Sequence, residues 1–234
     1  MAVVIAALPE ARVIGGAVRD TLAGRAVTEI DLATPRTPEQ VTEALQAAAI
    51  RAVPTGIEHG TVTAVVDGRG FEVTTLRRDV ETDGRHAVVA FTGDWRADAA
   101  RRDFTINAMS LTRTGEVFDY FGGVSDLHAG VVRFVGDPAI RIAEDYLRIL
   151  RFFRFFARYS RGAADTAALV AIRGGVPGLA RLSVERVWSE LARIFAAPDP
   201  RAAVALMDKA GVLGAVVPEG ADLTRLARLI EAGA

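Results

Sequence analysis

The chain has 234 residues, half of them hydrophobic, with 28 Lys and Arg against 29 Asp and Glu and no cysteine. That length buries a real core as one large domain or two small ones, and the apolar content excludes a disordered chain. The lack of cysteine excludes disulfides and thiolate metal sites. No apolar run approaches the roughly 20 residues that span a bilayer, and no basic segment leads into an apolar one at the start. These features predict a soluble, cytoplasmic protein with no membrane partner. A net charge of −1 does not advertise a nucleic-acid binder, yet Lys209 is the only lysine. The positive charge is therefore almost all Arg, the residue suited to bidentate phosphate and base contacts.

Residues up to about 125 alternate strand-like and helix-like runs, whereas everything after about 138 reads as helix. The first notable stretch is Gly15-Gly16-Ala17-Val18-Arg19-Asp20. Val13 and Ile14 read as the end of a buried strand, and a helix opens at Ala17. The glycine pair is either a tight turn or a turn whose backbone N–H groups hold phosphate oxygens that a side chain would keep away. Glu29 and Asp31 follow, two apart on what reads as the next strand. Period-2 geometry sets them on one face, roughly 6–7 Å apart at the backbone, where their oxygens converge on divalent cations. A phosphate-binding turn beside an acidic pair suggests nucleotidyl transfer.

Further on, Thr37 and Pro38 predict an N-cap and first position of a helix. Gly60–Val66 and Phe71–Leu76 are β-branched runs separated by Asp67-Gly68-Arg69-Gly70, a hairpin signal. Glu72 faces away from Phe71 and Val73, either as a third acidic group at the metal site or as a carboxylate on a wet strand face. His59 approaches substrate or is structural. The polar run Arg78–His86 reads as a mobile loop.

Arg101-Arg102-Asp103-Phe104-Thr105-Ile106-Asn107-Ala108-Met109 is, on its residue types, a helix or turn start with a salt-bridged Arg–Asp pair. Arg102 can fork onto phosphate, and Asp103 and Asn107 can bond ribose hydroxyls or orient the arginine. Phe118–Gly123 reads as an architectural turn. From Arg141 to Arg158 one amphipathic helix is predicted. Arg148, Arg151, Arg154 and Arg158 lie on one side, Ile142, Ile149, Phe153 and Phe156 on another, with i,i+4 pairs Arg141–Asp145 and Glu144–Arg148. Ser183 is the expected N-cap of a further helix, with Arg186 where a capping box usually has Glu.

These segments resemble the motifs of the class II tRNA nucleotidyltransferases, the CCA-adding enzymes, and of the related bacterial poly(A) polymerases, over roughly residues 11–219. The resemblance implies an α+β architecture: a polymerase β-like nucleotidyltransferase head with a small mixed sheet (1–128), an all-α neck (129–198), and the start of a helical body (199–234). It implies Glu29 and Asp31 as catalytic Mg²⁺ ligands with Glu72 as a third catalytic carboxylate. Gly15, Gly16, Arg19, Arg102, Asp103 and Asn107 would bind nucleotide, Asp145 and Arg148 would read the base edge, and Arg151 and Arg154 would face the triphosphate. The loop at Arg78–His86 is the counterpart of one associated with the switch from adding C to adding A. The implied activity is addition of C, C and A to the tRNA 3′ end from CTP and ATP. A poly(A) polymerase and a catalytically degraded nucleotide- or RNA-binding fragment are the alternatives. Two departures stand out: Glu29 where the family has aspartate, and a chain that stops soon after the neck. A misplacement of about 1 Å costs on the order of 100-fold in rate, so Glu29 predicts weakened activity.

Overall fold

The computed structural model describes residues 1–82, 87–220, 222, 224, 225 and 228. The chain divides into two compact units, Met1–Ser125 and Asp126–Ala234. In the first, helix α1 (Ala2–Ala7) precedes strand β1 (Arg12–Ile14), helix α2 (Gly16–Leu22), strand β2 (Asp31–Thr34) and helix α3 (Pro38–Ala47). Then come β3 (Arg51–Gly56), β4 (Thr61–Val66), β5 (Arg69–Thr75), β6 (Arg77–Thr82) and β7 (Ala87–Phe91). Helix α4 (Trp95–Ala100), β8 (Met109–Leu111), β9 (Val117–Asp119) and α5 (Gly123–Ala129) complete it, α5 running into the second unit.

Seven of these strands form one mixed sheet in the order β3-β4-β5-β2-β1-β8-β9. Only β2 and β5 are parallel; the other pairs are antiparallel. The β4–β5 connection is the expected hairpin. Asp67 and Gly68 both have positive φ, 52° and 74°, the backbone a two-residue turn needs to match strand twist. Thr37 caps α3 as predicted, and the structure adds a full capping box with Gln40. The apolar face of α3 (Val41, Leu45) closes over Leu32, Val62, Ala64 and Val73.

The polar run expected to be a loop is instead largely strand: β6 and β7 pair antiparallel from Arg77↔Phe91 to Thr82↔Ala87. Its backbone groups find partners in the apolar strand Ala87–Phe91 that follows, which a composition-based reading overlooks. Residues 83–86 of that run lie outside the described residues.

The second unit is helical: α6 (Pro138–Glu144), α7 (Leu147–Tyr159), α8 (Thr166–Gly175), α9 (Val184–Phe195), α10 (Arg201–Lys209) and α11 (Val212–Val216). Helix α7 is its axis. Phe152 stacks on Phe134 at 6.0 Å and meets Phe153 edge-on at 5.4 Å, and α9 and α10 both pack on α7. The single helix predicted over 141–158 is broken. Asp145 is extended at φ −157°, ψ 108°, and separates α6 from α7. The periodic pattern spans the break because a single non-helical residue followed by a new turn leaves apolar residues on both sides of it. Ser183 caps α9 by accepting from the Arg186 N–H, as expected. No helix among the described residues is long and apolar enough to cross a membrane.

Candidate active site

The site in the first unit grows from β1 and β2. Ile14 is paired with Asp31, so the turn that follows Ile14 begins beside that carboxylate. Gly15 caps α2 with φ 64° and ψ −126°, a backbone open in practice only to glycine. The predicted opening of the helix at Ala17 is thus one residue late. A Cβ on Gly15 would stand 3.1 Å from Arg102 Nη1, and one on Gly16 would stand 3.4 Å from Arg19 Nη2. Two guanidinium groups therefore lie against a bare backbone turn. That combination suits an anion with several oxygens.

Glu29 is not on a strand. Regular β2 begins at Asp31, so the two carboxylates are related by a loop-to-strand junction and not by strand pleat. They nevertheless share one open cleft of about 800 Å³, lined by Thr28, Glu29, Asp31, Arg69, Phe71 and Glu72 among others. Leu32 pairs with Val73, which sets Asp31 level with Glu72 on the neighbouring strand. Glu72 points to the wet face, while Val73 is in the core. Asp31 is solvent-exposed at the mouth of the cleft, yet the protein mass around it raises its pKa. Glu29 raises it further, and Arg102 opposes both. Among the described residues no three His, Cys, Asp or Glu side chains gather closely enough to cage a metal ion. A pair of carboxylates in an open cleft fits the other mode of hard-cation binding, in which the nucleotide phosphates and water supply the remaining oxygens.

The Arg101–Met109 segment is a turn from the end of α4 into β8, with Thr105–Asn107 as a 3-10 turn. Both arginines pair with an aspartate upstream of the segment. Arg101 Nε and Arg102 Nη2 reach back to Asp98 at 2.9 and 3.4 Å. Burial pushes the Arg102 pKa down and Asp98 counters it. Asp103 accepts from the Phe104 N–H and from Asn107 Nδ2, at 2.9 and 3.0 Å. Asn107 Oδ1 in turn accepts from Arg19 Nη1 at 2.6 Å. Asp103 and Asn107 thus form a chain that holds Arg19, where the sequence reading has them orient Arg102. The Arg19 fork also grips Asp20 at 3.0 and 2.9 Å. His59 is exposed on the rim of a 3-10 turn, 4.0 Å from Glu58.

Phe118–Gly123 is the architectural corner expected of it. The Asp119 carboxylate accepts from the N–H groups of Phe121, Gly123 and Val124. Gly123 packs so tightly on the Thr105 carbonyl that a Cβ would fall 2.2 Å from its oxygen.

In the second unit, Asp145 sits at the α6–α7 break. It accepts from the Leu147 N–H at 3.1 Å and pairs with Arg186 at 2.8 Å. The expected Arg141–Asp145 pair is replaced by Arg141–Glu144, because the break turns Asp145 off the helical spacing. Glu144 and Arg148 do pair, and Arg148 Nη1 also donates to the Arg141 carbonyl at 2.7 Å. Arg154 reaches the buried Glu190 of α9 at 3.2 Å and lies over Phe155. Arg151 lies 5.7 Å from the Phe155 ring centre. Sequence reasoning missed Asp98, Glu190 and Arg12. Asp98 was legible from its i+3 and i+4 arginines. Arg12, sandwiched between Trp95 at 4.1 Å and Phe118 at 3.7 Å, had no local signal.

A mixed sheet carrying a glycine turn between two arginines, next to a carboxylate cleft, defines a nucleotidyltransferase head. The chain belongs to the family of the poly A polymerase head domain, whose pattern matches residues 11–133. A second pattern, described as a probable RNA and SrmB-binding site of polymerase A, matches residues 165–223. The chain is 53% identical over 189 residues to human CCA tRNA nucleotidyltransferase 1, mitochondrial, covering 80% of this chain and 44% of that one. The crystal structure of the Bacillus stearothermophilus CCA-adding enzyme in complex with CTP superposes with a TM-score of 0.80 at 33% identity, over 89% of this chain and 51% of that one. A tRNA nucleotidyltransferase complexed with a primer tRNA and an incoming ATP analogue gives a TM-score of 0.75 at 26% identity, over 92% and 62% of the two chains. The chain thus spans about half the length of the curated relatives it matches.

Proposed function

We propose that this chain carries the catalytic portion of a CCA-adding enzyme, adding C, C and A to the 3′ end of tRNA from CTP and ATP without a nucleic-acid template. The observation that carries the reading is the pairing of Asp31 with Ile14. It sets the Glu29–Asp31 cleft beside the Gly15–Gly16 turn, so a nucleotide whose phosphates lie on the turn presents them to the carboxylates. Similarity to enzymes solved with CTP and with tRNA and an ATP analogue supports the same substrates.

In this mechanism the primer 3′-hydroxyl oxygen attacks the α-phosphorus in line. The bond from that phosphorus to the β-bridging oxygen breaks, pyrophosphate leaves, and the hydroxyl proton passes to water. Gly15 and Gly16 leave room for the triphosphate, Arg102 and Arg19 neutralise it, and Asp103 and Asn107 fix Arg19. Glu29 and Asp31, with Glu72 alongside, would hold Mg²⁺. That ion supplies charge neutralisation at the phosphates and lowers the hydroxyl pKa. Asp145 accepts from the exocyclic amine common to cytosine and adenine, and Arg148 donates to a ring nitrogen or carbonyl. U and G lack that amine at the matching position, and an unpaired buried group costs about 1–3 kcal/mol. Arg151 and Arg154 serve the triphosphate, Arg154 while braced by Glu190. The β6–β7 hairpin takes the role of the segment associated with passing from C to A. We assign the protein to the cytoplasm.

The test is incubation with Mg²⁺, CTP, ATP and a tRNA transcript lacking its 3′ CCA, with products resolved at one nucleotide. Addition that stops after three nucleotides supports the assignment. Long adenylate tails identify a poly(A) polymerase, and no addition at low salt and high protein identifies a binding fragment.

A further inference from the structure

We infer that Asp98 is a positioning residue: it bolts the root of the β6–β7 hairpin to the Arg101–Arg102 pair and thereby holds Arg102 against the glycine turn. The inference rests on the nucleotide site proposed above and goes beyond it by assigning a residue that touches no substrate.

Asp98 is 4% exposed, deep for a carboxylate, and such groups are retained only when fully engaged. One oxygen accepts from the backbone N–H of Arg77, the first residue of β6, at 3.2 Å, and from Arg101 Nε at 2.9 Å. The other accepts from Arg102 Nη2 at 3.4 Å. The opposite arm of Arg102, Nη1, faces Gly15 at the distance already given. One carboxylate thus ties three things: a hairpin root, the end of α4, and a guanidinium at the turn.

The helix that carries Asp98 is itself fixed at its N-terminal end. Asp94 caps it by accepting from the Arg96 N–H at 2.8 Å. Trp95, its first residue, stacks on Arg12 of β1 and packs against Ile14, Ala33 and Leu76. Leu76 bridges the two sheets, donating its N–H to Thr34 and accepting from the Thr92 N–H. Asp98 is therefore a fixed point, and the long arginine is the part that moves if the carboxylate loses its charge. Freed of Asp98, Arg102 is left to the pull of Asp103, which already favours its charged form, and to Asp31, the carboxylate whose pKa it lowers.

The test is a double-mutant cycle of Asp98→Asn and Arg102→Gln, read as CTP affinity by calorimetry with Mg²⁺ and no primer, alongside thermal unfolding. Asparagine keeps the size and the acceptor for the Arg77 N–H while removing the charge. The expected result is CTP binding about tenfold weaker for Asp98→Asn in the wild-type background and changed by less than about twofold in the Arg102→Gln background. Equal losses in both backgrounds, or no loss in either, overturn the inference, as does a wild-type chain that binds no CTP. A wild-type chain that binds CTP but does not extend tRNA refutes the proposed activity, and the same cycle still decides the role of Asp98. If Asp98→Asn fails to fold, Asp98→Glu replaces it, with the same requirement that its effect vanish in Arg102→Gln.

Discussion

Gly123→Ala is the most demanding single-atom probe of the head. The added Cβ falls 2.2 Å from the Thr105 oxygen and 2.8 Å from the Thr105 carbon. A carbon and an oxygen approach ordinarily to about 3.3 Å, so α5 or the 3-10 turn has to yield by about 1 Å. Both neighbours are backbone, which makes that movement expensive, about 1–3 kcal/mol as for overpacking in a core. The displaced turn ends at Asn107, which holds Arg19. A shift of about 1 Å at a positioning group costs on the order of 100-fold in rate. Gly123→Ala is therefore expected to lower the unfolding temperature and to lose about two orders of magnitude in CTP incorporation by gel assay. Gly174→Ala, in α8 with nothing within 4 Å of its Cβ, is the control and should be neutral or stabilised by up to about 1 kcal/mol. Gly123→Ala with the unfolding temperature and rate of the wild type refutes the close-packing argument.

Two further outcomes concern the site's chemistry. Asp31 has its pKa raised by burial first and Glu29 second, so the acid limb of the addition rate should lie above the usual aspartate range, and Glu29→Gln should move it downward. Between the ordinary and the raised pKa the folded state binds more protons than the unfolded, so Asp31 removes stability as pH rises through that window. Asp31→Asn should accordingly abolish incorporation while leaving the neutral-pH unfolding temperature unchanged or higher; a clear loss of stability contradicts the raised pKa. At the helix break, Asp145→Ala should reduce the preference for CTP over UTP by about 10–100-fold in a competition assay. Arg186→Gln should cost only about 0.5 kcal/mol of stability, since that pair is about a third exposed, but should blunt the same preference by leaving Asp145 held by the Leu147 N–H without its arginine. Unchanged CTP preference in both variants removes Asp145 from base selection.

The head was legible where local chemistry dictates the backbone. The Thr37 cap, the Asp67-Gly68 turn and the turn at Gly15 each call for a particular backbone, and each adopts it. Legibility failed where a distant partner decides. Glu29 and Asp31 look like strand neighbours in sequence, but pairing with Ile14 begins only at Asp31. The pairing of β6 with β7 was hidden because the polar strand finds its backbone partners in the apolar run Ala87–Phe91 that follows. The break at Asp145 escaped notice because the apolar period continues through it, while the reason for it, capping of α7 and an ion pair to Arg186 41 residues away, is tertiary. Asp103 and Asn107 were recognised as polar and purposeful, though the arginine they orient lies 88 residues from Asn107.

That separation has a consequence for how the protein is made. Strand β1 lies in the interior of the sheet, between β2 and β8, so half of its hydrogen-bonding edge has no partner until β8 has left the ribosome. Arg19 likewise waits for Asn107. A nascent chain that has emerged as far as the β4–β5 hairpin carries the glycine turn and all three cleft carboxylates, yet neither Arg102 nor the groups that set Arg19. Synthesis at about 5–20 residues per second leaves that gap open for seconds. The glycine turn is thus translated well before the groups that complete its site, Arg102 and Asn107.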